Sequence, residues 1–167
     1  MQQKENQIFL GLGTNLGDKE VNLREAIRLI QIEAGRLLAA SSVYETAPWG
    51  IKDQPRFLNQ VVLIESALAP VALLNKLLAV ERKMGRERVQ KWGSRLIDID
   101  ILFYNDLVLK TPKLVLPHPF LQDRNFVLSP LAEIAPDHIH PVLGHSIRFL
   151  LEHSSDSLQV MPLSSVN

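Results

Sequence analysis

Apolar and polar positions along this chain follow two alternating periods, and each change of period marks an element. "QIFLGLG" (7–13) is a short apolar run closed by glycines and predicts a buried strand. From Asp18 the pattern becomes helical, with Leu23, Ile27, Ile30 and Ala34 at steps of four, three and four, and Gly35 is a fitting stop. "RLLAASSVYETAP" (36–48) and "FLNQVVLIESAL" (57–68) read as strands separated by the loop "WGIKDQPR". Pro70 suits the first turn of a helix whose apolar face is Leu74, Leu77, Leu78 and Met84, with Gly85 ending it. After a loop at 86–95 comes a strand over about 95–104, a turn at Asn105 and Asp106, and a returning strand "LVLKT". A proline-punctuated loop, "LPHPFLQDRNF", leads to two short helices, "VLSPLAEIA" and "SIRFLLEHS".

The order strand, helix, strand, strand, helix, strand matches a split βαβ arrangement. It predicts an α+β, ferredoxin-like fold, an antiparallel sheet with helices packed on one face. Serines dominate from Ser154, so the expected organisation is one domain, 1–153, and a loosely ordered tail, 154–167. Such a fold hosts many functions, so chemistry has to come from particular residues.

One run breaks its own pattern. In "KWGSRLIDIDILFYND" (91–106) the aliphatic strand carries Asp98 and Asp100, which share a face while Ile97, Ile99 and Ile101 point the other way. Two carboxylates roughly 7 Å apart or less on a partly buried sheet cost several kcal/mol unless cations compensate them. The preceding stretch supplies candidates: Arg82, Lys83, Arg86, Arg88, Lys91 and Arg95 stand against only Glu81 and Glu87. Structural salt bridges are one outcome. The other is one or two Mg²⁺ ions on the carboxylates gripping a polyphosphate, with the basic loop on its outer oxygens, the parts of phosphoryl chemistry.

Composition narrows the field. The 167 residues, 46% hydrophobic, suit a single core of ordinary size. Cysteine is absent, so a metal would need oxygen or histidine ligands, and a reducing cytoplasm fits. Eighteen basic residues balance eighteen acidic ones, which gives no global attraction to nucleic acid or an anionic membrane, and no apolar run approaches a membrane span. An RNA-binding module of this fold would also need an aromatic strand that the sequence lacks.

Other motifs have plain readings. "GLGTNLGDK" (11–19) has neither phosphate-loop nor dinucleotide spacing; Gly11, Gly13 and Gly17 read as a tight turn or the wall of a site. His138 and His140, two apart with no neighbouring third and fourth ligands, default to packing or surface histidines, and His118 alone reads as a surface residue. Tyr44, Trp49, Phe57 and Asn59 surround one loop, either pinning it with their rings or receiving a flat heterocycle.

Taken together, "GLGTNLGD", "YETAPWG", "DQPRFLN", "ERKMGRER", "KWGSRLIDIDIL" and "PHPFLQDRNFVLSPLAEIAP" resemble the 6-hydroxymethyl-7,8-dihydropterin pyrophosphokinases of folate biosynthesis along nearly the whole chain. The resemblance implies transfer of pyrophosphate from ATP to the pterin hydroxymethyl group with release of AMP, two Mg²⁺ ions, and, by analogy, a cytoplasmic monomer. It implies Asp98 and Asp100 as metal ligands, Arg86 and Arg95 as cations on the triphosphate, and Arg88, Lys91 and Trp92 in a mobile loop over the site. Glu81, His118 and Arg124 align with residues near the nucleotide. Thr46, Trp49 and Asn59 align with the pterin-edge segment, and Phe57 and Phe126 with two aromatics that sandwich the ring. Phe57 and Pro119 stand where some relatives have tyrosine, and Lys91 where some have arginine, which removes a planar bidentate donor. A simple kinase would differ by releasing ADP.

Overall fold

In a computed structural model of the chain, residues 5–46, 55–85 and 96–163 are described. Strand β1 (Asn6–Thr14) is followed by helix α1 (Lys19–Glu33), strands β2 (Arg36–Ala40), β3 (Tyr44–Thr46) and β4 (Phe57–Ser66), and helix α2 (Pro70–Lys83). Strand β5 (Asp98–Tyr104) then precedes β6 (Leu109–Lys110) and β7 (Val115–Leu116), a 3₁₀ turn at Leu121–Asp123, helices α3 (Asn125–Ile134) and α4 (Ile147–Glu152), and strand β8 (Val160–Pro162). The main sheet runs β5-β1-β4-β3-β8, with β2 also on β4, and all its pairings are antiparallel. This is the α+β, ferredoxin-like arrangement that the element order predicts.

Local chemistry accounts for the helix ends. Asp18 caps α1 by accepting from the Val21 N–H at 3.2 Å, and Pro70 occupies the first turn of α2, where a missing N–H costs nothing. Alternation then divides the sheet into two faces. Ile8, Leu10 and Leu12 of β1, Leu58, Val62 and Ile64 of β4, and Ile97, Ile99 and Ile101 join α1 and α2 in one core cluster. Phe9, Val61, Leu102 and Phe103 form the second cluster with Val127, Leu128 and Leu131 of α3 and Ile147 and Leu150 of α4. The helices therefore do not all lie on one face: α3 and α4 cover part of the opposite side, because Phe9, Val61 and Leu102 give that side an apolar half.

Three further expectations change. Gly11 and Gly13 lie inside β1, as the strand read over 7–13 has them and not as the turn reading has them; the left-handed position is Gly17, at φ 66°. "LVLKT" does not return along β5. Its Leu109 and Lys110 pair with Leu116 and Val115 in a separate two-stranded sheet. The outer edge of β5 is taken up otherwise: the Glu81 carboxylate accepts from Ile99 N–H at 3.2 Å, and His118 N–H donates to Leu102 carbonyl at 3.0 Å. Within 154–163, the first part of the segment read as a tail, β8 pairs with β3.

Candidate active site

The two aspartates face a floor without side chains. In the β1–β5 register Gly13 stands opposite Asp98 and Gly11 opposite Asp100, and on the other side of β1 Gly13 stands opposite Asn59 and Gly11 opposite Val61. Cross-strand partners share a face, so Asn59, Gly13 and Asp98 form one row across three strands. Gly13 is the tighter of the two positions. A Cβ at Gly13 would lie 3.2 Å from Asn59 Oδ1, and one at Gly11 would lie 3.4 Å from the Leu102 side chain. Asp98 is half-buried and Asp100 exposed, so the acidic pair lies on the solvent side of β5 while Ile99 and Ile101 are buried.

The same row continues toward β3. Tyr44 stands opposite Asn59 and Thr46 opposite Phe57, and the buried Asn59 Nδ2 donates to Thr46 Oγ1 at 2.9 Å. An amide and a hydroxyl fixed to each other in a dry environment make a directional edge for a polar heterocycle. Phe57, half-buried on the same face of β4, adds an aromatic wall. The Tyr44 hydroxyl donates to Glu133 Oε1 on α3 at 2.7 Å, and the same carboxylate accepts from Ser42 N–H at 2.7 Å. Burial, reinforced by that carboxylate, pushes the Tyr44 hydroxyl up to about 12, so it stays a donor.

A second group forms around the 3₁₀ turn and the start of α3. The Arg124 guanidinium carbon lies 5.2 Å from the Phe120 ring centre and 5.7 Å from that of Phe126. The rings of His118 and Phe120 meet edge-on at 6.1 Å, and His118 Nδ1 accepts from Phe120 N–H at 3.2 Å. Burial, with the charge of Arg124 adding to it, lowers His118 to about 4, so its imidazole is neutral at physiological pH. Phe126 packs against the cluster that contains Val61 and Leu102, which ties this group to the face bearing Asn59, Gly11 and Asp100.

The fold therefore brings Thr46, Phe57, Asn59, Asp98 and Asp100 onto one face and gathers His118, Arg124 and Phe126 into one cluster. Glu81 enters from behind: it is 3% exposed and engages the main chain at Ile99, between the aspartates. Trp49, Arg86, Arg88, Lys91, Trp92 and Arg95 lie outside the described residues. Sequence reasoning assigned no role to Phe120, which is 53% exposed between His118 and Arg124, although the "PHPF" motif contains it. His138 and His140 belong to packing, with His138 4.6 Å and His140 5.5 Å from the Phe103 ring centre. Among the described residues no group of three or more His, Asp or Glu side chains could hold a metal by itself.

An α+β domain of the ferredoxin-like class, with two carboxylates and a buried polar edge across a glycine floor, is a framework for a small-molecule transferase. The family model described as 7,8-dihydro-6-hydroxymethylpterin-pyrophosphokinase (HPPK) matches residues 9–136, and the chain belongs to that family. The 2-amino-4-hydroxy-6-hydroxymethyldihydropteridine pyrophosphokinase of Methylorubrum extorquens is 45% identical over 141 residues, 84% of this chain and 88% of its own length. The enzyme of that name from Aquifex aeolicus is 44% identical over 135 residues, covering 81% and 84% of the two chains. Among solved structures, wild-type Plasmodium falciparum HPPK-DHPS with pteroate matches with a TM-score of 0.75 at 20% identity, a likeness of fold; it covers 91% of this chain and 43% of that longer one. The chain is thus a pyrophosphokinase of folate biosynthesis, transferring pyrophosphate from ATP to the hydroxymethyl group of 6-hydroxymethyl-7,8-dihydropterin and releasing AMP.

Proposed function

We propose that this transfer takes place on the face shared by Asp98, Asp100, Asn59 and Thr46, with the aspartates as ligands of two Mg²⁺ ions. The observation that carries the reading is the pairing of Gly13 with Asp98 and Gly11 with Asp100, which sets two carboxylates beside strand positions that carry no side chain. Their donor set fits the ion: Mg²⁺ prefers hard oxygens and takes one or two protein carboxylates, completing its shell with substrate phosphates and water. Bound there, Mg²⁺ would offset the charge of the triphosphate and acidify the attacking hydroxyl.

The chain's own residues hold the reactants in line. The Asn59 amide and Thr46 hydroxyl, with Trp49, read the pterin edge, while Phe57 and Phe126 hold its faces. The neutral His118 imidazole, with Arg124 poised over Phe120, receives the nucleotide. Glu81 belongs to the nucleotide side as well, fixing β5 through Ile99. Arg86 and Arg95 meet the triphosphate, and Arg88, Lys91 and Trp92 cover it; the support for these five is their place in the sequence resemblance. The pterin hydroxyl oxygen bonds to the β-phosphorus, the bond from that phosphorus to the α-phosphate oxygen breaks, the hydroxyl proton is released and AMP departs. Closure over the site excludes water as a competing nucleophile.

The reading takes the chain as one cytoplasmic domain that works as a monomer, since all the named polar groups come from a single chain. No helix among the described residues is long and apolar enough to cross a membrane. Incubation with ATP, 6-hydroxymethyl-7,8-dihydropterin and graded Mg²⁺ tests the reading: AMP should form one-for-one with the pterin diphosphate, and turnover should vanish with chelator. Release of ADP, or turnover indifferent to the metal, would overturn it.

A further inference from the structure

The family match ends at residue 136, yet the chain beyond α4 returns to the site at two places. Asp156 meets Asn125, the residue between Arg124 and Phe126. Its Oδ2 accepts from Asn125 N–H at 2.8 Å, and its carbonyl accepts from Asn125 Nδ2 at 3.1 Å. Its own conformation is fixed from both sides, since Oδ1 accepts from Leu158 N–H at 2.9 Å and its N–H donates to Ser154 Oγ at 3.2 Å. Helix α3 begins at this point, and Arg124, at its N-cap, makes no capping bond with its own side chain. The Asp156 carboxylate is therefore the cap of α3, supplied from 31 residues downstream, and it sits where the helix dipole favours an anion.

Four residues further on, β8 pairs with β3, placing Val160 opposite Thr46 and Pro162 opposite Tyr44, and Leu163 N–H donates to Val43 carbonyl at 2.8 Å. One short segment thus touches the Arg124–Phe126 turn at one end and the strand bearing Thr46 at the other.

We propose that residues 154–163 are a strap that sets the site, with Asp156 the positioning residue for Arg124 and Phe126. The inference rests on the proposed assignment of Arg124 to the nucleotide and Phe126 to the pterin. The carboxylate touches neither substrate. It holds the main chain at Asn125, on either side of which the guanidinium and the ring project, so its loss affects both substrates while the aspartates and the glycine floor stay in place.

The test uses the full chain with Asp156→Ala and the milder Asp156→Asn, which keeps one acceptor oxygen. Amide hydrogen exchange across 124–127 should quicken about tenfold in D156A and less in D156N. KM for ATP and for the dihydropterin should each rise about fivefold or more, with kcat within about twofold. Adding D156A to a Phe126→Ala enzyme should raise the pterin KM no further, since residues acting through one another are not additive. Unchanged exchange in both variants overturns the strap, as does faster exchange with both KM values unaltered, or full additivity with F126A. If Arg124→Ala and Phe126→Ala themselves leave both KM values unchanged, the site assignment is what fails, and the exchange measurement still decides whether Asp156 pins the turn.

Discussion

Gly13 of β1 lies between Asn59 and Asp98, and a methyl group added to it would stand 3.2 Å from Asn59 Oδ1. The glycine thus keeps the space between the amide and the first carboxylate clear. Its φ is not in the left-handed region, so alanine is conformationally acceptable there and the consequence falls on the neighbour. Gly13→Ala is expected to stay folded, with stability within about 1 kcal/mol, while KM for the dihydropterin rises about tenfold because Asn59 must give way. Steady-state kinetics alongside urea unfolding check this. A wild-type KM would show that Asn59 can shift without loss.

Asp98→Asn and Asp100→Asn separate charge from shape. Each keeps the size of the side chain and one oxygen but loses the negative charge a hard cation requires. Each is expected to lower kcat by about 10²–10³, on the order of 3–4 kcal/mol of transition-state stabilisation. Because Asp100 is exposed, its substitution should leave the unfolding midpoint nearly unchanged. A Mg²⁺ titration of each variant is the measurement; near-normal turnover at saturating metal would remove the aspartates from the site.

His118 gives a pH prediction with a definite sign. Burial first, and Arg124 second, lower its folded value to about 4 from an unfolded 6.5, so the unfolded chain takes up this proton first as pH falls. The stability contribution is fully present above about 6.5, declines between about 6.5 and 4, and is gone below that. Discounted for its partial exposure, the loss is about 2 kcal/mol. His138 and His140 are also lowered by burial, so the contribution is isolated by comparison with His118→Gln. Urea unfolding of wild type and H118Q at pH 7 and pH 4.5 should show the smaller acid loss in the variant. Equal losses would mean that His118 titrates normally.

The strand that carries Asp98 and Asp100 was legible because a two-residue period leaves no choice: once Ile97, Ile99 and Ile101 go to the core, the aspartates must face out. The floor opposite them was not. Gly11 and Gly13 suit both the apolar run at 7–13 and a turn, and the partners on both sides of β1 decide for the strand and set them beside the aspartates. The fate of "LVLKT" was equally non-local, since it depended on Glu81 and His118 already occupying the edge of β5. In the C-terminal segment, serines and Pro162 suppress any strand signal, and pairing with β3 supplies what propensity does not. The aspartates announced themselves by charge in an apolar run. Asn125 and Asp156 are joined across 31 residues by hydrogen bonds that no local pattern encodes.

Glu81 tests the support behind the aspartates. Its carboxylate is buried and accepts from the Ile99 N–H, a main-chain donor on the outer edge of β5, which pairs with no further strand among the described residues. Truncation to alanine leaves that donor without its acceptor, a loss of about 1–3 kcal/mol, and frees the segment from Asp98 to Asp100 to shift. Glu81→Gln keeps a carbonyl oxygen of the same reach and should retain most of the stability. The expected order is therefore wild type, then E81Q, then E81A, in both the urea midpoint and kcat, with E81A losing about tenfold or more in kcat at saturating ATP. If Glu81 acted only by touching the nucleotide, E81A would raise KM for ATP without altering the unfolding midpoint. If it holds the strand, stability and kcat fall together, and added ATP does not restore the rate.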